Sequence, residues 1–121
     1  MKSLTHFRVF IPIIILTFLI AQPAISQDKN EVAELKIQSS VVCGMCKTRV
    51  EKDLAFEKGV TYVNVDLKSK VVTVKYRTAK TEPDKIRKAL TKIGYDADTL
   101  LADQKAYDKL PACCKKDAAP H

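Results

Sequence analysis

Beyond the first thirty positions, apolar and polar residues alternate in short blocks whose period changes along the chain. Leu35, Ile37 and Val41 share one parity while Lys36 and Gln38 take the other, the pattern of a half-buried strand. The period then lengthens. Cys46, Val50 and Leu54 fall four apart with Lys47, Glu51 and Lys52 turned away, which predicts an amphipathic helix ending at Gly59. Val63, Val65 and Leu67 alternate against Asn64 and Asp66 as a second strand, and Lys68-Ser69-Lys70 supplies a turn into a third, Val72 to Tyr76. Thr81-Glu82-Pro83 opens a second helix, because proline is tolerated in a first turn. Ile86, Leu90 and Ile93 are its buried stripe and Gly94 its stop; Tyr95 to Leu101 is expected to be a short last strand.

The order βαββαβ predicts an α+β fold of the ferredoxin-like kind. Only one parity of each strand is apolar, so both helices should cover one face of a four-stranded antiparallel sheet. Residues 34–101 suffice for that domain, with 27–33 as a linker before it. The remainder, 102–121, reads as a short helix near Ala102 to Leu110 followed by a mobile tail containing Cys113-Cys114. Phe56, Tyr62 and Tyr76 read as packing residues.

Residues 1–26 follow a different logic. Lys2, His6 and Arg8 precede an apolar run from Val9 to Ile20, and small residues at Ala21, Ala24 and Ser26 follow. This is the layout of a secretory signal cleaved before Gln27; the run falls short of the roughly 20 apolar residues that span a bilayer. The protein is therefore expected to be exported, to a periplasm or cell envelope or into the medium. The net charge is +7, of which Lys2 and Arg8 supply two, leaving a mild excess scattered over the remainder. Scattered lysines mark solvated faces, and with no Trp and eight aromatics spread along the chain there is no stacking platform for nucleic acid.

The chemistry lies in four cysteines. Cys43 and Cys46 stand where the first strand hands over to the first helix, so both can converge on one ion. The helix start should lower their pKa, with Lys47 and Arg49 adding to the effect. Thiolates are soft donors that favour Cu(I), Hg(II), Zn(II) or Cd(II) over Mg(II) and Ca(II). Two sulfurs suit Cu(I) or Hg(II), whereas structural Zn(II) takes four ligands. An open shell of this kind fits a carrier, and Gly44 gives the loop freedom to move. The competing reading is a thiol–disulfide redox protein of the cell envelope, since exported chains meet oxidants. Cys113 and Cys114 are adjacent and so poorly placed to bridge each other. With His121 they can form an auxiliary soft-metal site or fold back to complete the shell of Cys43 and Cys46. No Ser-His-Asp set or phosphate loop is present, and Asp96 and Asp98 read as solvent-facing, so no enzyme and no small-molecule substrate is expected.

These residues resemble the heavy-metal-associated domain family, which includes copper chaperones, modules of copper-transporting ATPases and periplasmic mercury-binding proteins. The resemblance runs through Val41-Val42-Cys43-Gly44-Met45-Cys46, then Val50-Glu51, Leu54, Gly59-Val60, and later Ile86, Leu90 and Ile93-Gly94-Tyr95-Asp96-Ala97. It implies that Cys43 and Cys46 ligate the metal and that Tyr95 packs near them. Taken with the two-sulfur site, a monomer is expected that passes one ion, with Cu(I) or Hg(II) favoured, to a membrane transporter or efflux pump. The family's methionine two residues before the first cysteine is Val41 here, and Met45 sits between the thiols instead. Val41 keeps the buried parity with less volume, while Met45 is expected to face solvent.

Overall fold

A computed structural model describes residues 30–118. The expected leader over residues 1–26 and His121 lie outside them. Three strands, β1 (Val32–Gln38), β2 (Val60–Asp66) and β3 (Val71–Arg77), form an antiparallel sheet in the order β1-β3-β2. The helices are α1 (Gly44–Ala55), α2 (Pro83–Ile93) and the five-residue α3 (Gln104–Asp108), followed by a 3-10 turn at Ala112–Cys114. No helix among the described residues is long and apolar enough to cross a membrane.

The central strand carries the core. Val72 and Val74 of β3 are fully buried, with Ile37 and Val65 beside Val72 in register, and Leu35 and Val63 beside Val74. Cys46, Val50 and Leu54 of α1 and Ile86, Ala89 and Leu90 of α2 pack against these valines as one apolar cluster. Both helices thus use the face that strand parity predicted. Each fully buried leucine contributes on the order of 1.5–3 kcal/mol relative to an exposed one. A register shift between Val60 and Tyr62 lets Val63 and Val65 return to the inner face after the exposed Thr61-Tyr62. Phe56 corrects its expectation: one residue past α1 it is 82% exposed, whereas Tyr76 is buried and Tyr62 lies at the sheet edge.

The fourth strand is reduced to isolated bridges, Ser39 with Ala97 and Ala97 with Leu100. The cause is Asp98, which takes a left-handed conformation (φ 54°) and turns the chain back, so that Ala97 and Leu100 exchange backbone hydrogen bonds of 2.9 Å. The Asp98 N–H donates to the Gln38 carbonyl (2.8 Å), while its carboxylate accepts from the Gln38 N–H (2.9 Å) and Arg87 (2.7 Å). A side chain thereby does part of what a strand backbone would do. The same seam continues inward, where the Asp96 N–H donates to Ser40 Oγ at 3.0 Å. The loop leaving α2 is in this way fastened along the loop that enters α1.

Gly94 ends α2 in a left-handed conformation (φ 112°), its N–H directed to the Leu90 and Thr91 carbonyls. A Cβ there would lie 3.1 Å from the Ala106 backbone, so glycine is needed both for the turn and for the close seat of α3. Past α3 the chain stays on the domain: Leu110 and Cys114 are buried, and Tyr107 is partly buried against the core. The mobile-tail expectation is therefore corrected through Ala118. What sequence pattern missed is a latch. Lys116 Nζ meets Asp96 Oδ2 at 2.7 Å, the Lys116 N–H donates to Tyr107 Oη at 3.0 Å, and Lys115 and Lys116 both lie over the Tyr107 ring.

Candidate metal centre

Cys43 is the residue before α1, in extended conformation, and its carbonyl accepts the Lys47 N–H at 3.1 Å. One turn on, Cys46 begins the buried stripe of the helix, so helical periodicity alone brings its sulfur back toward residue 43. The two Sγ atoms are 3.1 Å apart. No acidic residue occupies the first turn and no side chain caps it, which leaves the positive end of α1 available to a thiolate. Val41 is fully buried beneath the loop and Met45 is 54% exposed, as the sequence predicted for both. Gly44 has no heavy atom within 4 Å of where a Cβ would stand, so it fills no steric need.

Of the two arrangements that the sequence left open for Cys113 and Cys114, the structure has the one folded back over Cys43 and Cys46. Cys43 and Cys46 are buried, not set at an open rim, because the 3-10 turn places Cys114 over them. Cys114 Sγ is 3.8 Å from Cys43 Sγ, Cys113 Sγ is 4.0 Å from Cys114 Sγ, and Cys113 also meets Met45 Sδ at 3.8 Å. The sulfurs of Cys43, Cys113 and Cys114 all lie within 4.8 Å of one another. Five sulfurs from two ends of the described chain thus form one cluster, graded from exposed Met45 to fully buried Cys46. His121 lies outside the described residues and is not placed.

Tyr95 joins the cluster from the loop after α2, held there by the Asp96–Ser40 and Ala97–Ser39 contacts. Its ring is fully buried and its hydroxyl lies beside Cys46 and Cys114 in a geometry too poor to form a hydrogen bond. Burial, reinforced by those sulfurs, raises the phenol far above its ordinary value. It remains a proton donor awaiting an acceptor, and a thiolate is the acceptor within reach.

The thiols differ in acidity. Burial alone would raise Cys46, but the facing Cys114 thiol, the Val42 backbone, the Cys43 thiol and the Tyr95 hydroxyl outweigh it and bring Cys46 down to about 7. Burial pushes Cys43 up, and the neighbouring Cys46 thiol adds to the rise. Burial, and then Cys46, does the same to Cys114. The first proton to leave the cluster therefore comes from the deepest sulfur, and further ionisation waits for a cation. Lys47 takes no part, contrary to the sequence expectation. Its ammonium is bound to Glu51 (2.6 Å) and to the Val65 carbonyl (2.7 Å), on the side of the helix facing β2.

Asp96 and Asp98 are likewise not idle surface acids, since both fasten the loop that carries Tyr95. No carboxylate enters the sulfur cluster found among the described residues. An all-sulfur, largely buried donor set fits a soft ion and not Mg(II) or Ca(II).

Comparison with known proteins agrees. The family model for the heavy-metal-associated domain matches residues 39–96. The solved structure of CopZ metallochaperone is 30% identical, with a TM-score of 0.52 over 54% of this chain and 98% of that one. The chain belongs to the heavy-metal-associated domain family. The water-soluble region of the P-type ATPase CopA from Bacillus subtilis is 36% identical with a TM-score of 0.53, covering 56% of this chain and 46% of that one. A copper-exporting P-type ATPase from Staphylococcus saprophyticus is 38% identical over 68 residues, 56% of this chain. The chain spans only 8% of that ATPase's length, so the likeness is to a small part of it. The ferredoxin-like framework of the family is thus present, with a three-stranded sheet and its fourth strand shortened to a bridge.

Proposed function

We propose that the chain binds one soft metal ion through Cys43 and Cys46 and works as an exported carrier or scavenger. It hands the ion by thiol exchange to a membrane metal transporter or efflux pump. The observation that carries this reading is the pair of sulfurs 3.1 Å apart at a helix start with no competing acid. Cu(I) is the favoured ion, in keeping with the copper-related names of the relatives; Hg(II), Zn(II) and Cd(II) are accepted by the same donor chemistry. In transfer an incoming thiolate binds as one thiolate leaves, so the ion is never bare and the barrier stays low.

Reduced protein should take up one equivalent of Cu(I) or Hg(II). Cys43→Ser and Cys46→Ser should each weaken retention on the order of a thousandfold, about 4 kcal/mol at 1.4 kcal/mol per factor of ten. Full affinity in both variants would refute the carrier. Catalysed reduction of insulin disulfides by the wild type would instead assign thiol–disulfide exchange. Export follows from the leader reading, and recovery of a chain beginning at Gln27 from the cell envelope is its test.

A further inference from the structure

We propose that the C-terminal segment closes this chain's own metal site: Cys114 supplies a third thiolate to the ion held by Cys43 and Cys46, and Cys113 stands as an outer fourth beside Met45. The inference rests on the reading that Cys43 and Cys46 bind metal, and turns a two-sulfur carrier into an enclosed holding site.

Sulfur spacing supports it. With metal–sulfur bonds of about 2.3 Å, thiolates sharing one ion stand about 3.8 Å apart in a tetrahedron and about 4.0 Å in a triangle. Cys43–Cys114 at 3.8 Å and Cys113–Cys114 at 4.0 Å already have that spacing, whereas Cys46 stands outside the compact group of Cys43, Cys113 and Cys114 and closes on Cys114 as the ion binds. Cys43–Cys46 at 3.1 Å must open by somewhat under 1 Å, a rotamer-scale movement at the start of α1, where Gly44 has free space. Hydrophobic packing alone does not account for the arrangement. A lone buried cysteine can act as a small apolar plug, but Cys113 is only partly buried at the edge of the core, and its sulfur meets those of Met45, Cys114 and Cys43.

The segment is also built to stay. Lys116 pairs with Asp96 at 2.7 Å, and Asp96 is next to Tyr95, whose unpartnered hydroxyl faces Cys46 and Cys114. One short loop therefore fastens the tail and presents a donor to the sulfurs beneath it. Each thiol that ligates gives its proton to solvent, and Tyr95 then has a thiolate to donate to. Release of the ion requires the tail to lift, which places the latch in control of the off-rate.

The test uses reduced full-length protein loaded with one equivalent of Cu(I) or of Cd(II). X-ray absorption should count three or four sulfurs around the ion in the wild type and two in the double variant Cys113→Ser, Cys114→Ser. Competition with a thiol chelator should show at least tenfold weaker retention in that variant. Lys116→Gln, a change at a half-exposed side chain that leaves the core intact, should speed release to the chelator severalfold without altering the sulfur count. Two sulfurs in the wild type, or equal release rates for wild type and both variants, would overturn the proposal. Loss of binding on Cys43→Ser in the same series would show that the carrier reading survives that failure.

Discussion

The two long helices enter the core from junctions of opposite chemistry. At the start of α2, Pro83 occupies the first turn, Asp84 supplies a negative charge, and that charge is taken up by Arg87 at 3.1 Å. Neither start has a capping side chain, but at the start of α1 there is no acid either, only Cys43, Gly44, Met45 and Cys46. One helix start carries a carboxylate of its own. The other keeps its positive end for a thiolate, and through the thiolate for a cation. Stability and function are thus divided between two structurally similar places: the α2 junction secures the fold, while the α1 junction stays unfinished until something binds.

Truncating the stripes should test that division most severely. Leu54→Ala and Leu90→Ala each remove a fully buried side chain and should cost about 2–5 kcal/mol, read by chemical denaturation. If the helices differ only at their starts, the two losses will be similar; a large disparity would mean that one half dominates the core. Next comes Tyr95→Phe, which deletes a hydroxyl with no partner in the metal-free chain. Metal-free stability should be unchanged or slightly higher, while soft-metal retention should fall about tenfold, measured by chelator competition.

Gly44→Asp gives α1 the acid that α2 already has, at a position with space for it. The new charge should compete with the Cys46 thiolate and raise its pKa from about 7 by about half a unit, read from the pH profile of alkylation. The smallest effect is expected from acid. Burial alone would raise Asp98, but the Arg87 hydrogen bond and charge and the Gln38 N–H hold it below its ordinary range near 4. This clip therefore contributes fully above about pH 4 and is lost as pH falls through the lowered value. Asp98→Asn should remove that acid dependence at a cost under about 1 kcal/mol, as for other partly exposed pairs.

Much of the fold was legible because its signals are local and repeated. The stripe Cys46, Val50, Leu54 and the run from Pro83 to Gly94 each carry several consistent residues, and both helices lie where those residues put them. The last strand failed because Tyr95 to Leu101 has strand-like alternation, yet Asp98 satisfies the neighbouring backbone with its side chain and bends the chain. Lys47 misled through proximity in sequence: one residue after Cys46 it is turned about 100° round the helix, toward Glu51 and β2. Of the site, Cys43, Cys46, Val41, Met45 and Tyr95 were readable from spacing or from resemblance. The seating of Cys113 and Cys114 was only one of two open options, since Pro111 to Cys114 has no periodic stripe and Lys116 just beyond it is held by the distant Asp96. An adjacent cysteine pair soon after a short amphipathic helix was the signal present.

The shortened fourth strand has a consequence along the β1 rim of the sheet. Among the described residues β1 has a strand neighbour on one side only, and beyond the Ser39 bridge its outer backbone borders solvent. Such a margin is a template on which a further strand, from this chain's twin or from another protein, can lay itself down. Glu34 and Lys36, both pointing away from the core, are the charges that guard it, and replacing them with valine would leave the module prone to stacking.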